Sequence, residues 1–510
     1  MLADMSQSSD WTSAARVVRR MGFGATGREV DAAVERGIST YVTESLAGQT
    51  VDDPGVRATP LPHFDDIQRL GRSASASARK RVNAQIGEQL SELTEWWLHR
   101  MIAASNPVTE KLTFIWHSHF ATSAAKVRTA SAMAGQNEKF RSLGLGGFRP
   151  LAYAMLTDPA MLRWLDGQQN TKKAPNENLA REFMELFALG HGNGYDETDV
   201  REGARALTGW RTSPSGTAAL RQAEHDSGTK TVLGVTGPLD AAGFCDAVLG
   251  HPASAGFVAS RLWQRLAGDA PPSPSAARRL TSAYGPERDL RALFGAILTD
   301  PELSHASAVQ SPVEWLVGAQ RALQPNVNRG DLHYLATTLR GLGQLPFYPP
   351  DVGGWPSGQA WLSTAATEIR WDAAMRVAKK AQSTSIVDAS PTDRIDAAAH
   401  LLGVGKFSDR TTGVLKQSIG NPVTLTAIAL NSPEYLTVCT NPDTWMRRRA
   451  RAFSGNRSTH LPRRNRSSRC TRSGCGRNDG DLGRTSSGGG ATPPHRRRRN
   501  PRARHDVRRQ

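Results

Sequence analysis

The sequence predicts a mainly α-helical protein, a multi-helix globular bundle with at most a short β-hairpin near 229–237. Three observations carry this expectation. Helix-capping and helix-stopping residues recur at helical spacing, one long segment holds an apolar stripe at three- and four-residue steps, and β-branched alternation is concentrated in one short run. Hydrophobic residues make up 38% of the 510, enough for a large core, which excludes a miniprotein and a wholly disordered chain.

Taken in order, Ser13 to Arg20 reads as a helix ended by the turn Gly22-Phe23-Gly24. Thr26 caps a second helix running to about Glu35, and Gly37 closes it. A polar, proline-bearing stretch follows from Val51 to Ser77. The longest helix then spans roughly Ala78 to Ala104, its stripe formed by Val82, Ile86, Leu90, Leu93, Trp97 and Met101. Gly87 within it costs about 1 kcal/mol relative to alanine, too little to break so regular a pattern. Asn106-Pro107 starts the next helix, because proline suits a first turn whose N–H groups have no helical partner. Leu156-Thr157-Asp158-Pro159, Leu298-Thr299-Asp300-Pro301 and Leu430-Asn431-Ser432-Pro433 each end one apolar helix and cap another. Thr229 to Val235, bounded by Gly228 and Gly237, is the hairpin candidate.

A formal charge of +17 first suggests nucleic acid or an anionic membrane. Residues 441–510 alone hold 20 Arg, no Lys and 4 Asp, a local +16, which leaves 44 basic against 43 acidic groups over residues 1–440. The body is therefore nearly neutral and offers nucleic acid no footprint. Two units are expected, a helical domain over 1–439 and an Arg/Gly/Pro/Ser-rich tail over 440–510. The tail has no periodicity and few apolar groups and reads as disordered, since it cannot offset its ordering entropy. Selection for positive charge alone would accept lysine as readily as arginine, so the absence of lysine fits a GC-rich gene read out of frame better than an RNA-binding arm. Deleting residues 441–510 is accordingly expected to leave the melting temperature within about 2 °C; a large drop in calorimetry would refute that reading. Cys245 and Cys439 are far apart and Cys470 and Cys475 form a poor zinc pattern, so no disulfide framework is implied. Neither a basic-then-apolar leader nor a run of about 18 apolar residues is visible, which makes a cytoplasmic protein with no membrane span the default.

Chemistry-bearing residues gather in a few places. Along the helical segment Asn176 to Leu189, Asn178, Glu182 and Glu185 fall within about 60° of one another, opposite Leu179, Phe183, Leu186 and Phe187. Two carboxylates and an amide thus share one ridge flanked by Arg181. The ridge is either a solvated face or, where burial raises one carboxyl, a general acid–base site formed by Glu182, Glu185 and Asn178. In Trp116-His117-Ser118-His119-Phe120, residues two apart on a helix point about 200° apart, so the histidines cannot grip one ion; His119 shares the apolar face. His119 is either a buried neutral imidazole bonded to a neighbouring helix or the partner of Glu182 or Glu185. A divalent metal held by His119, Glu182 and His225 would be zinc, manganese or iron. His225-Asp226 with Lys230 makes a second polar cluster. The acidic loop Tyr195 to Asp199 lacks calcium-loop spacing and suits the positive end of the next helix. In the stiff loop Phe347 to Trp361, Trp355 and Trp361 either plug the helical core or present faces on which sugar rings stack.

Together these segments resemble the bacterial "domain of unknown function 1800" family. The likeness rests on Arg19 to Thr26, Trp116 to Thr122, Asp158 to Leu162 with Leu165-Asp166-Gly167, Asn176 to Glu182 with Glu185-Leu186-Phe187, Ala204 to Trp210, His225-Asp226, Ser311 to Glu314, and Pro349-Pro350 through Gly354-Trp355-Pro356. It spans about residues 13–438. Asp196 departs from it, standing where the family's Tyr-Thr-Glu pattern has threonine. The resemblance implies a mainly helical fold and a sulfatase-like protein encoded nearby as partner, and it brings no activity with it. Three functions remain open: a non-catalytic helical partner or scaffold, a metal-assisted hydrolase using the His/Glu pocket, and a glycan-binding protein.

Overall fold

The computed structural model describes residues 8–47, 53–67, 70–71, 73–381 and 385–438. What was read for residues 440–510 lies outside them. The N-terminal helices form where the caps place them: α1 (Ser9–Met21) starts on Ser8, and α2 (Gly27–Arg36) on a capping box in which Thr26 and Glu29 satisfy each other's backbone N–H groups. After α3 (Ile38–Ala47), the apolar stripe becomes α4 (Ala76–Ala103), and α5 (Val108–His119) begins just past Pro107 with the Asn106 side chain accepting from the Val108 N–H.

Next come α6 (Ala130–Leu143), α7 (Phe148–Leu156) and α8 (Pro159–Trp164). Asp158 caps α8, accepting from the N–H groups of Ala160 and Met161, and Ser432 likewise caps the short turn Pro433–Leu436, so these junctions form as read. The ridge segment is not one uniform helix. It is α9 (Asn178–Glu182) continuing into a π-helical turn, Phe183–Ala188, followed by α10 (Glu197–Ala206).

The expected hairpin pairs Lys230–Val232 with Val235–Gly237 across Leu233 and Gly234, both at positive φ (51° and 82°), the tight turn that suits strand twist. Two further antiparallel pairs, each of two or three residues, were not legible as alternation: Trp210–Thr212 with Ala218–Leu220, and Ala308–Val309 with Thr437–Val438. The remaining helices used below are α11 (Ala241–Gly250), α12 (Pro252–Leu266), α13 (Leu290–Thr299), α14 (Pro312–Leu323), α15 (Thr364–Lys380) and α16 (Pro422–Leu430). Among the described residues no helix is long and apolar enough to cross a membrane.

Two large apolar clusters form the interior, and α5 lies between them. Ile115 and Trp116 join the first, where Trp116 packs against Phe120, Phe148 and Phe294. Phe114 joins the second, with Trp97, Phe347, Trp355 and Trp315. A helix covered on both sides cannot turn its polar residues to water, so Glu110, Lys111, His117 and His119 are all buried and each must find a partner within the protein.

Candidate functional site

Each polar side chain of α5 reaches a different element. Glu110 accepts from the Trp97 indole at 2.9 Å, from Arg100 at 3.1 Å and from Arg141 through two bonds of 2.8 Å. Burial alone would raise its carboxyl, but the two guanidiniums hold it below the ordinary range. Lys111 forms an ion pair with Glu314, whose carboxylate also accepts the Ser311 N–H as part of the capping box opening α14. His117 Nε2 accepts the N–H of Phe347 at 3.0 Å, and burial pulls its pKa down to about 3.

His119 donates Nε2–H to the Phe187 carbonyl at 2.9 Å, which leaves Nδ1 as a buried acceptor with no hydrogen-bond partner. Burial, and after it the nearby Arg261, bring this imidazole to about 3 as well, against the opposing pull of the Phe187 carbonyl. The π turn accounts for the bond. Its wider winding sends the N–H groups of both Leu189 and Gly190 to the Met184 carbonyl, leaving the Phe187 oxygen to the imidazole.

The pairing of His119 with Glu182 or Glu185 is therefore not formed. The acidic ridge lies on the other side of its helix, partly buried at the surface. Glu185 stands 3.8 Å from Arg181 and 3.5 Å from the exposed ring of His191, while Arg181 also pairs with Glu177 and, at 2.7 and 2.8 Å, with Glu197. Asn178 is exposed. Burial, and then the adjacent Glu185 charge, push the Glu182 carboxyl above the ordinary range. The structure does place an imidazole against the ridge, but it is that of His191, from the loop after the π turn.

His225 is in a third place. Its Nδ1 lies 3.0 Å from the Thr208 carbonyl, Asp226 pairs with Arg205 at 2.8 Å, and the Lys230 ammonium donates to the carbonyls of Asp226 and Gly228. This cluster ties the hairpin to α10. Gly209, at φ +91°, sits beneath it with the Arg221 carbonyl only 2.9 Å from where a β-carbon would stand, so no other residue fits the Thr208-Gly209-Trp210 turn without displacement. His119, Glu182 and His225 thus do not meet, and among the described residues no three His, Cys, Asp or Glu side chains form a group that could hold a metal ion. Asp196 and Asp199 form the capping box of α10, the helix-end role expected for that loop.

Trp355 and Trp361 are 2% and 5% exposed, which removes the open faces that sugar stacking requires. Trp355 stacks on Phe114 at 5.7 Å and meets the His117 ring edge-on, so the loop plugs the core beside α5. Arg265, from α12, closes it by donating to the carbonyls of Trp355 and Gly353.

The sequence reading missed Glu110, Lys111, Glu314 and Arg265. The available signal was that the charged residues and histidines of α5 spread over more than half the circumference of a helix rich in Trp, Phe and Ile, too wide an arc for a single solvated face.

No curated protein and no solved structure is significantly similar to the chain. The family model described as protein of unknown function (DUF1800) matches residues 16–437, which takes in α5, the acidic ridge and the tryptophan loop, and the chain belongs to that family.

Proposed function

We propose that the chain is a non-catalytic helical partner protein, with the sulfatase-like protein implied by the family resemblance as the partner to test. The observation supporting this is the commitment of its interior chemistry to joining elements. His117 holds the aromatic loop, His119 the π turn, Glu110 helices α4 and α6, and Lys111 the start of α14. Groups that could exchange protons with a substrate are spent as braces, and the carboxylates that face outward, Glu182 and Glu185, sit on a surface these braces make rigid.

The full-length chain and the sulfatase-like protein are expected to co-elute as a complex. Reversing the ridge with Glu182→Lys and Glu185→Lys is expected to weaken the complex at least tenfold, about 1.4 kcal/mol. The same reversal should change the unfolding free energy by less than about 1 kcal/mol, because partly exposed ion pairs contribute little. Failure to form a complex, together with turnover by the chain alone that Glu182→Gln abolishes, would replace this reading with the hydrolytic one.

A further inference from the structure

Of the asparagines in the sequence, only Asn193 is followed by glycine. The pair stands in the loop between the π turn and α10. Both residues are exposed, and both lie outside helix and strand. A glycine after asparagine leaves the next backbone nitrogen unshielded by any side chain, so that nitrogen can attack the asparagine amide, the reaction that makes asparagine thermolabile.

The fold holds that glycine in place. Gly194 has φ +83°, a left-handed conformation, and the His251 ring lies 3.1 Å from where a β-carbon would stand. A side chain at position 194 would be both strained and crowded, so this loop requires the least hindered neighbour an asparagine can have. The Gly194 N–H makes no hydrogen bond among the described residues, and none has to break before its nitrogen reacts. Asn193 has one holding contact, its side-chain NH2 donating to the Leu189 carbonyl at 2.7 Å. A single neutral hydrogen bond of this kind slows the reaction without preventing it.

We propose that Asn193 is a site of spontaneous modification, converting to aspartate or isoaspartate in the folded protein. The Gly194 nitrogen gives its proton to solvent base and bonds to the Asn193 side-chain carbon. The amide C–N bond of the side chain breaks, and its nitrogen takes a proton from water and leaves as ammonia. Water then opens the cyclic imide. Cleavage of the bond to the side-chain carbon gives aspartate, and cleavage of the bond to the main-chain carbonyl carbon gives isoaspartate. One water is consumed and one ammonia released, with no oxidant or reductant.

Either product replaces a hydrogen-bond donor with a carboxylate. Where Asn193 held the Leu189 carbonyl, two acceptors would then face each other. The new charge also appears two residues from His191, whose ring stands 3.5 Å from Glu185. Modification therefore releases the loop from the end of the π turn and makes it more acidic.

Full-length protein incubated at neutral and at mildly alkaline pH, then digested and weighed peptide by peptide, tests this. The peptide holding Asn193 is expected to gain about one dalton ahead of every other asparagine peptide. Isoaspartate should be among its products, and the rate should rise with pH because the nitrogen attacks after losing its proton. Asn193→Gln, whose ring closure needs one more atom, should stay intact under the same conditions. Asn193→Asp should keep the natural helical content and melt at a lower temperature than the natural chain. An Asn193 that stays intact while other asparagines convert, or that converts only in urea, overturns the proposal. An unchanged melting temperature for Asn193→Asp overturns the release of the loop.

Discussion

Replacing Glu110 by glutamine is expected to destabilise the protein by about 3–5 kcal/mol, the cost of removing one partner from a buried charge cluster. The glutamine keeps the shape and can still accept the Trp97 indole N–H. What it cannot do is neutralise Arg100 and Arg141, whose side chains are only 11% and 8% exposed and which both direct bonds at this one carboxylate. Arg141 retains Glu138 and Asn137, and Arg100 retains the Thr59 carbonyl, so the loss is large without being total. Urea unfolding followed by fluorescence measures it. The midpoint should fall while the slope stays constant, as for a native state of unchanged extent. A loss below about 1 kcal/mol would show that water enters the cluster and that α5 is less enclosed than its surroundings imply.

The contrast between Glu110 and Glu182 shows how far local pattern carries. Glu182 stands in a segment whose apolar residues repeat at helical spacing, so its place on a polar ridge was legible, as were the caps at Thr26, Asp158 and Ser432 and the hairpin around Gly234. These features depend on residues three or four apart. The partners of α5 do not: Glu110 meets Arg141 across 31 positions, Lys111 meets Glu314 across 203 and His117 meets Phe347 across 230. No periodicity encodes such distances. The π turn was illegible for a related reason. Its residues, Phe183 to Ala188, are ordinary helix formers, and the wider winding is stabilised by tertiary bonds such as the one from His119. The expected meeting of His119 with the acidic ridge failed at that turn, because the imidazole reaches the backbone of the segment from the core side while Glu182 and Glu185 leave it towards the surface.

Acidification should expose the same design through the two histidines of α5. Each has a folded-state pKa near 3, from burial, against an ordinary value near 6.5. A base whose folded pKa is depressed takes up its proton more readily when unfolded. Its contribution to stability is therefore complete above pH 6.5 and is lost as pH falls from there towards 3. Each unit of pH in that window removes about 1.4 kcal/mol per histidine, so lowering the pH from 6.5 to 5 is expected to cost about 2 kcal/mol for each of the two. The sign is independent of the carboxylates. Glu110 and Glu314 are held below the ordinary range, so their own losses begin only where an unfolded glutamate takes up protons, nearer pH 4.5. His99, also lowered by burial, acts in the same direction as the α5 pair. His119→Gln provides the discriminating measurement, because its amide can still donate to the Phe187 carbonyl but cannot titrate. Between pH 6 and 5 the slope of unfolding free energy against pH should fall by about one proton relative to the natural chain. An unchanged slope would mean that this imidazole takes up its proton within the fold, with Nδ1 directing the new N–H at an acceptor, and the brace between α5 and the π turn would then be ionic.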